Sequence, residues 1–125
     1  MTLIIGGAFQ GKLEYAVNRF GLSEDEIYRC SYDDPACPIG KRAVYEADKW
    51  VLALIRANKN IQDETQRFIA ESPHIVIAND ISCGVVPIDP QIRLWREETG
   101  RFLGQLAREA HKVVRMYCGL ATEVK

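Results

Sequence analysis

Apolar positions fall into short continuous runs and longer helical stripes that alternate along the chain. Residues 2–5 form a β-branched and aliphatic run that ends at Gly6-Gly7, the pattern of a buried parallel strand feeding a turn. From Lys12 the period changes: Leu13, Ala16, Val17 and Phe20 recur at helical spacing, and Gly21 stops them. Ser23 with Glu26 three residues on is a capping-box pattern for a short turn, and residues 26–31 read as a second strand. Residues 32–40 hold two prolines, two aspartates and a glycine and read as a loop. A short strand at 43–46 leads into a helix at 48–57, whose apolar face is Trp50, Val51, Leu54 and Ile55. A more polar helix over 63–71 turns Phe68 and Ile69 inward and is closed by Pro73. His-Ile-Val-Ile-Ala at 74–78 is the clearest internal strand and runs into Asn79-Asp80 and a Gly- and Pro-containing loop. The longest helical pattern spans 90–110, with Pro90 in its first turn and with Gly100 and Gly104 inside it, which calls for a close neighbour or a bend. A last strand at 113–117 ends in a Cys118-Gly119 turn. Strands alternating with helices predict an α/β fold: one three-layer domain over 1–125 with a mostly parallel sheet.

Composition changes this picture little. The chain has 125 residues, 47% of them hydrophobic and 26% charged, an ordinary globular balance for one core. A net charge of -1 and a pI near 6.1 give no basic face for nucleic acid or an anionic membrane surface. The N-terminus runs straight into residues 3–5 with no basic region and no apolar stretch long enough for a leader or a span, so a cytoplasmic location is expected. Cys30, Cys37, Cys83 and Cys118 show no C-x-x-C spacing, and neither His74 nor His111 completes a zinc set; free structural thiols and no protein-held metal site are the expectation.

The chemistry lies in Gly6-Gly7-Ala8-Phe9-Gln10-Gly11-Lys12, which satisfies G-x-x-x-x-G-K between a predicted strand and a predicted helix. Glycines let the backbone wrap a phosphate with its N–H groups inward, the helix N-terminus adds partial positive charge, and the lysine reaches the outer phosphates. At average Gly and Lys usage the bare pattern arises in roughly one chain of this length in twenty to thirty, so its position is what carries weight. The eighth position breaks the motif, because Leu13 stands where a Ser or Thr hydroxyl would meet magnesium. A dinucleotide fingerprint is absent. Asn79 and Asp80 follow a strand, where open α/β sheets gather ligands, and Asp80 suits either a metal or a substrate hydroxyl; a plain turn opening is the alternative. Arg108 and Lys112 read as solvated charges, Trp50 and Trp95 as core, and His74 and His111 as strand-flanking residues.

Three stretches together resemble one family. They are Leu3-Ile4-Ile5-Gly6-Gly7-Ala8 with Gly11-Lys12, then Ile75-Val76-Ile77-Ala78-Asn79-Asp80-Ile81-Ser82-Cys83-Gly84-Val85-Val86-Pro87, then Arg93-x-Trp95-Arg96-Glu97-x-x-Gly100-Arg101. The sequence is similar to the adenosylcobinamide kinase and adenosylcobinamide-phosphate guanylyltransferase family of cobalamin assembly. Its members carry G-G-x-x-S-G-K-S, V-S-N-E-V-G-x-G-I-V-P and R-x-F-R-D-x-x-G-R-x-N-Q in that order. The likeness covers the first twenty residues and most of 74–119.

The resemblance implies ATP or GTP bound at Gly6 to Leu13, and adenosylcobinamide, a corrinoid, as acceptor of the γ-phosphoryl group. It assigns Lys12 to the phosphates, Asn79 and Asp80 to the substrate or its metal, and Arg96 and Arg101 to charge neutralisation, and it implies a homo-oligomer. The departures narrow this. Leu13 replaces the magnesium-binding serine, Asp80 replaces glutamate, Leu103-Gly104 replace an Asn-Gln pair, and His111 stands where an aspartate is usual. Full members are longer between the first two motifs, where they hold a second acidic strand end and a histidine that becomes guanylylated. No histidine occurs here between Lys12 and Pro73, and Glu46 is the residue placed to replace the acidic strand end. The resemblance therefore implies a kinase without the guanylyl step; the alternative is an inactive nucleotide-binding or accessory protein on the same scaffold.

Overall fold

A computed structural model describes residues 1–81 and 88–125; the part of the second motif at 82–87, with Cys83, lies outside the described residues. The elements follow in the order β1 (Thr2–Gly6), α1 (Lys12–Phe20), β2 (Ile27–Arg29), β3 (Ala43–Tyr45), α2 (Ala47–Arg56), α3 (Ile61–Ala70), β4 (Ile75–Asn79), α4 (Pro90–Glu109), β5 (Lys112–Tyr117) and β6 (Leu120–Glu123). The strands form one sheet in the order β2-β3-β4-β1-β5-β6. β1 to β5 are parallel, and β6 returns antiparallel on β5. The architecture is the three-layer α/β class that the alternating pattern predicts.

Period-two alternation divides the strand residues between two cores. Leu3, Val44, Val76, Ala78 and Val113 face α2, α3 and α4, where Trp50, Phe68 and Phe102 pack ring against ring at 5.3–6.2 Å. Ile4, Ala43, Ile75, Ile77, Val114 and Met116 face α1 alone. The helix 48–57 was expected to bury one face; α2 buries Ala47, Asp48 and every residue from Trp50 to Leu54, because the sheet lies on one side of it and α3 and α4 on the other.

Local rules account for the ends of the elements. Gly21 caps α1 in the left-handed conformation, Asn60 accepts from Asp63 N–H to start α3, and Asp89 caps α4 ahead of Pro90. Ser23 and Glu26 form the expected capping box over a single 3₁₀ turn. The strand expected at 26–31 is only Ile27–Arg29 long. α4 is continuous through Gly100 and Gly104. A Cβ on Gly100 would meet nothing within 4 Å and one on Gly104 only Arg108 at 3.8 Å, so the close neighbour expected there is not found among the described residues. No helix among the described residues is long and apolar enough to cross a membrane.

Candidate functional site

β1 is the central strand, paired with β4 on one side and β5 on the other, so its carboxyl end opens between two strand ends. Gly6, its last residue, lies level with Asn79 and Met116, and its carbonyl accepts the Asp80 N–H at 2.8 Å. A Cβ there would stand 2.5 Å from the Met116 carbonyl oxygen, which explains the glycine by packing rather than by dihedral angle. The chain then rises through Gly7, Ala8, Phe9 and Gln10 into Gly11, the left-handed N-cap of α1. Gln10 is held by the β5–β6 hairpin. Its Oε1 accepts the Cys118 N–H, and its carbonyl accepts the Gly119 N–H at 3.3 Å. Cys118 and Gly119 both have positive φ, as a two-residue hairpin turn requires.

Gly11 offers no side-chain cap, so the first N–H groups of α1 stay directed at the loop mouth, where they favour an anion. Lys12 follows and is buried, at 5% exposure; its Nζ donates to the Gly7 carbonyl at 2.6 Å. Burial lowers the lysine's pKa from its ordinary value, while the charges of Asp48 and then Glu46 pull it the other way. An ammonium resting on a loop carbonyl is a donor that a phosphate oxygen can take over.

The opposite wall is acidic. β3 delivers Tyr45 and then Glu46, which caps α2 with φ 58 and pairs with Lys49 at 3.0 Å. Two residues on, Asp48 is 1% exposed. Its Oδ1 accepts the Asn79 N–H at 2.9 Å, its Oδ2 faces the Asn79 amide at 3.4 Å, and its own carbonyl accepts Trp95 Nε1 at 2.8 Å. Burial raises the Asp48 pKa, and the bonds from Asn79 oppose the shift. Asp48 thus ties the end of β4 to the start of α2. The glycine loop, Lys12, Leu13, Tyr45, Glu46 and Asn79 enclose a cavity of about 210 Å³. Phe9 and Glu46, two of the non-glycine residues with positive φ, both border it; unfavourable backbone of this kind collects at binding sites.

Of the residues singled out from sequence, Ala8 to Leu13 and Asn79 line this cavity together, with Gly6 and Gly7 beneath it, and Asp80 follows Asn79 directly. Arg101 is not brought to it. It pairs with Glu98 at 2.6 Å and Glu97 at 3.7 Å and borders a separate groove with Gln62, Gly104 and Arg108. Arg96 sits half-buried on α4. Asp48 was missed by sequence reasoning, as was the β5–β6 hairpin. Asp48 carries no local signal, but a two-residue Cys-Gly turn after a strand was a legible hairpin cue.

A glycine loop joining a central strand to a helix, at the carboxyl edge of a mostly parallel sheet, defines an α/β protein of the P-loop fold. The chain belongs to the cobinamide kinase / cobinamide phosphate guanyltransferase family, whose sequence signature matches residues 41–124. The matched region runs from just before β3 through the whole of β6, so the acidic wall lies inside it and the glycine loop before it. Among curated proteins none matches the chain significantly. Membership sets the chain in cobalamin biosynthesis, in a family that acts on cobinamide and nucleotides.

Proposed function

We propose that residues 1–125 work as one nucleotide-binding unit that phosphorylates adenosylcobinamide with ATP or GTP and has lost the guanylyl step. The observation that carries this reading is the single cavity shared by Lys12, the glycine loop and the strand-end residues Glu46 and Asn79. Lys12 and the loop N–H groups hold the outer phosphates. The β–γ phosphate bond breaks, the bond to the acceptor hydroxyl forms, and the hydroxyl proton passes to Asp80 or to water, leaving the nucleoside diphosphate. Such transfer depends on positioning and neutralised charge rather than on covalent help. Magnesium keeps most of its waters and takes one or two carboxylates plus phosphate oxygens; Glu46 suits that role, and the ion would offset charge on the phosphates. Arg96 and Arg101 are the α4 residues that the family resemblance assigns to charge neutralisation.

A second reading, nucleotide binding without turnover, draws on Leu13, which borders the cavity with no hydroxyl to offer. Titration with ATP and GTP, with and without magnesium, followed by addition of cobinamide and detection of phosphorylated product, decides between the two. Turnover by the native chain, or its gain in Leu13→Ser, supports the kinase. Tight binding with no product in either protein supports the second reading, and failure to bind either nucleotide refutes both.

A further inference from the structure

Glu46 and Glu14 are the carboxylates among the described residues that border the phosphate cavity, and Glu46 is the one that follows a strand. Lys49 holds it twice. The Lys49 N–H donates to the Glu46 carbonyl at 2.9 Å, and Lys49 Nζ pairs with Glu46 Oε2 at 3.0 Å. The two side chains are 25% and 23% exposed, so salt screens this pair less than one on the open surface. The same ammonium lies over the Tyr32 ring, 5.1 Å from its centroid, and that ring stands edge-on to Trp95 at 5.8 Å. Trp95 is fixed in turn by its bond to the Asp48 carbonyl. An ordinary i,i+3 pair on an exposed helix face has none of this support. Here a carboxylate and an aromatic face together seat one ammonium at the acid that faces the phosphates.

That seat bears on the counter-charge of a bound triphosphate. A P-loop site ordinarily holds its cation with a loop hydroxyl and a strand-end acid. Leu13 has no hydroxyl, and Glu46 can serve a divalent ion only by giving up Lys49. Exchanging an ammonium for a divalent ion at Glu46 adds one unit of charge near the phosphates, where a lone carboxylate would gain two. Magnesium also sheds its waters reluctantly, which lessens what the exchange returns.

We infer that Lys49 neutralises Glu46 in place of a divalent cation, so that this chain binds a nucleoside triphosphate with little dependence on magnesium. The inference rests on the phosphate reading of the glycine loop. Lys49 does not border the cavity; it is a positioning residue that acts through Glu46.

Calorimetric titration of the full chain with ATP, once in excess magnesium and once in chelator, gives a ratio of two affinities. For the native chain that ratio is expected to stay within about threefold. In Lys49→Gln it is expected to open to about tenfold or more, because an unpaired Glu46 repels the phosphates in chelator and is free for the ion in magnesium. Lys49→Arg keeps the positive charge and is expected to keep the native ratio. The effect of magnesium on ATP in solution is common to all three proteins and cancels in the comparison. A purely structural role for Lys49 would weaken both titrations alike, so a Lys49→Gln ratio equal to the native one overturns the inference. So does a native ratio of about tenfold or more, which leaves the phosphate reading standing. If ATP binds under neither condition, the phosphate reading fails and the role of Lys49 falls with it.

Discussion

Gly6→Ala adds one methyl group where the sheet has no room for it. The new Cβ would lie 2.5 Å from the Met116 carbonyl oxygen and 3.4 Å from both the carbonyl carbon and the Cβ of Met116. The crowded oxygen belongs to the β5 backbone, so no rotamer change relieves it. Carbon–oxygen contacts between strands settle at about 3.3 Å or more, so the oxygen must retreat by roughly 0.8 Å. That retreat must come from parting β1 and β5 at their carboxyl ends, which is where the loop begins and where the hairpin holds Gln10. Overpacking of this kind costs about 1–3 kcal/mol. At about 2 kcal/mol, a chain of this length loses roughly 6–10 °C of melting temperature. Nucleotide affinity is expected to fall about tenfold or more, because the N–H groups of the loop no longer converge. Thermal melting by circular dichroism and calorimetric titration measure the two effects. Gly7→Ala is the control: its Cβ would meet only the Gln10 side chain, at 3.8 Å, and its φ is not positive, so little stability should be lost. A Gly6→Ala protein that melts within about 1 °C of the native chain and binds nucleotide unchanged refutes this account of the loop's foundation.

Lys12→Met is expected to abolish nucleotide binding without lowering the melting temperature. Burial depresses the lysine's folded-state pKa below its ordinary 10.5, so the charged form destabilises the fold fully at neutral pH, and the lost bond to Gly7 offsets part of the gain. A clearly lower melting temperature, or retained binding, refutes this. Asp48 has the opposite charge and the same cause of strain: its folded pKa is raised, so the native state holds the proton more tightly and stability declines as pH rises from the ordinary carboxyl value through the raised one. Urea melts of the native chain and Asp48→Asn from about pH 4 to 7 should differ by a curve that falls with pH for the native chain; a flat difference refutes the assignment. The thiols should react in order of burial, since Cys118 is exposed whereas Cys30 is 8% exposed with its pKa pushed up to about 12. Iodoacetamide followed by peptide mapping should find Cys118 alkylated in the native chain and Cys30 only after denaturation; early labelling of Cys30 would count against the packing of the β2–β3 edge.

The parts of the fold that were legible in sequence are those whose burial is continuous. β1, β4 and α4 show as apolar runs or stripes because both faces of the inner strands are covered and because Asp89-Pro90 marks a helix start. β6 left no such trace: Leu120 to Glu123 are all exposed and are held by backbone pairing to β5, so no apolar period reveals them. Arg101, which the motif assigns to phosphate, already has acidic neighbours on its own helix. The acids three and four residues before it, at ideal helical spacing, were already its partners. Asp48 shows the limit most sharply. An acid in the first turn of a helix is ordinarily a solvated residue on the dipole's positive end. Only the tertiary pairing of β3 with β4, which lays α2 beside Asn79, turns it into a buried acceptor.

That buried acceptor explains how three strand residues can build half of a site. β3 spans only Ala43–Tyr45, and its last carbonyl accepts the Cys30 N–H at 3.1 Å. The bonds from Asn79 to Asp48 fasten the start of α2 to the end of β4, and Trp95 fastens the same residue to α4. Glu46, with its positive φ, lies between the end of β3 and this anchor, facing Lys12 across the phosphate cavity. The opposed groups each have a partner of their own, Lys12 the Gly7 carbonyl and Glu46 the Lys49 ammonium. Bound phosphate gives Lys12 an anionic partner in place of a neutral carbonyl, so a buried charge that costs stability becomes a source of affinity. Ligand binding should therefore stabilise this chain by mass action and relieve the desolvated lysine at once, and the rise in melting temperature with added GTP should vanish in Lys12→Met.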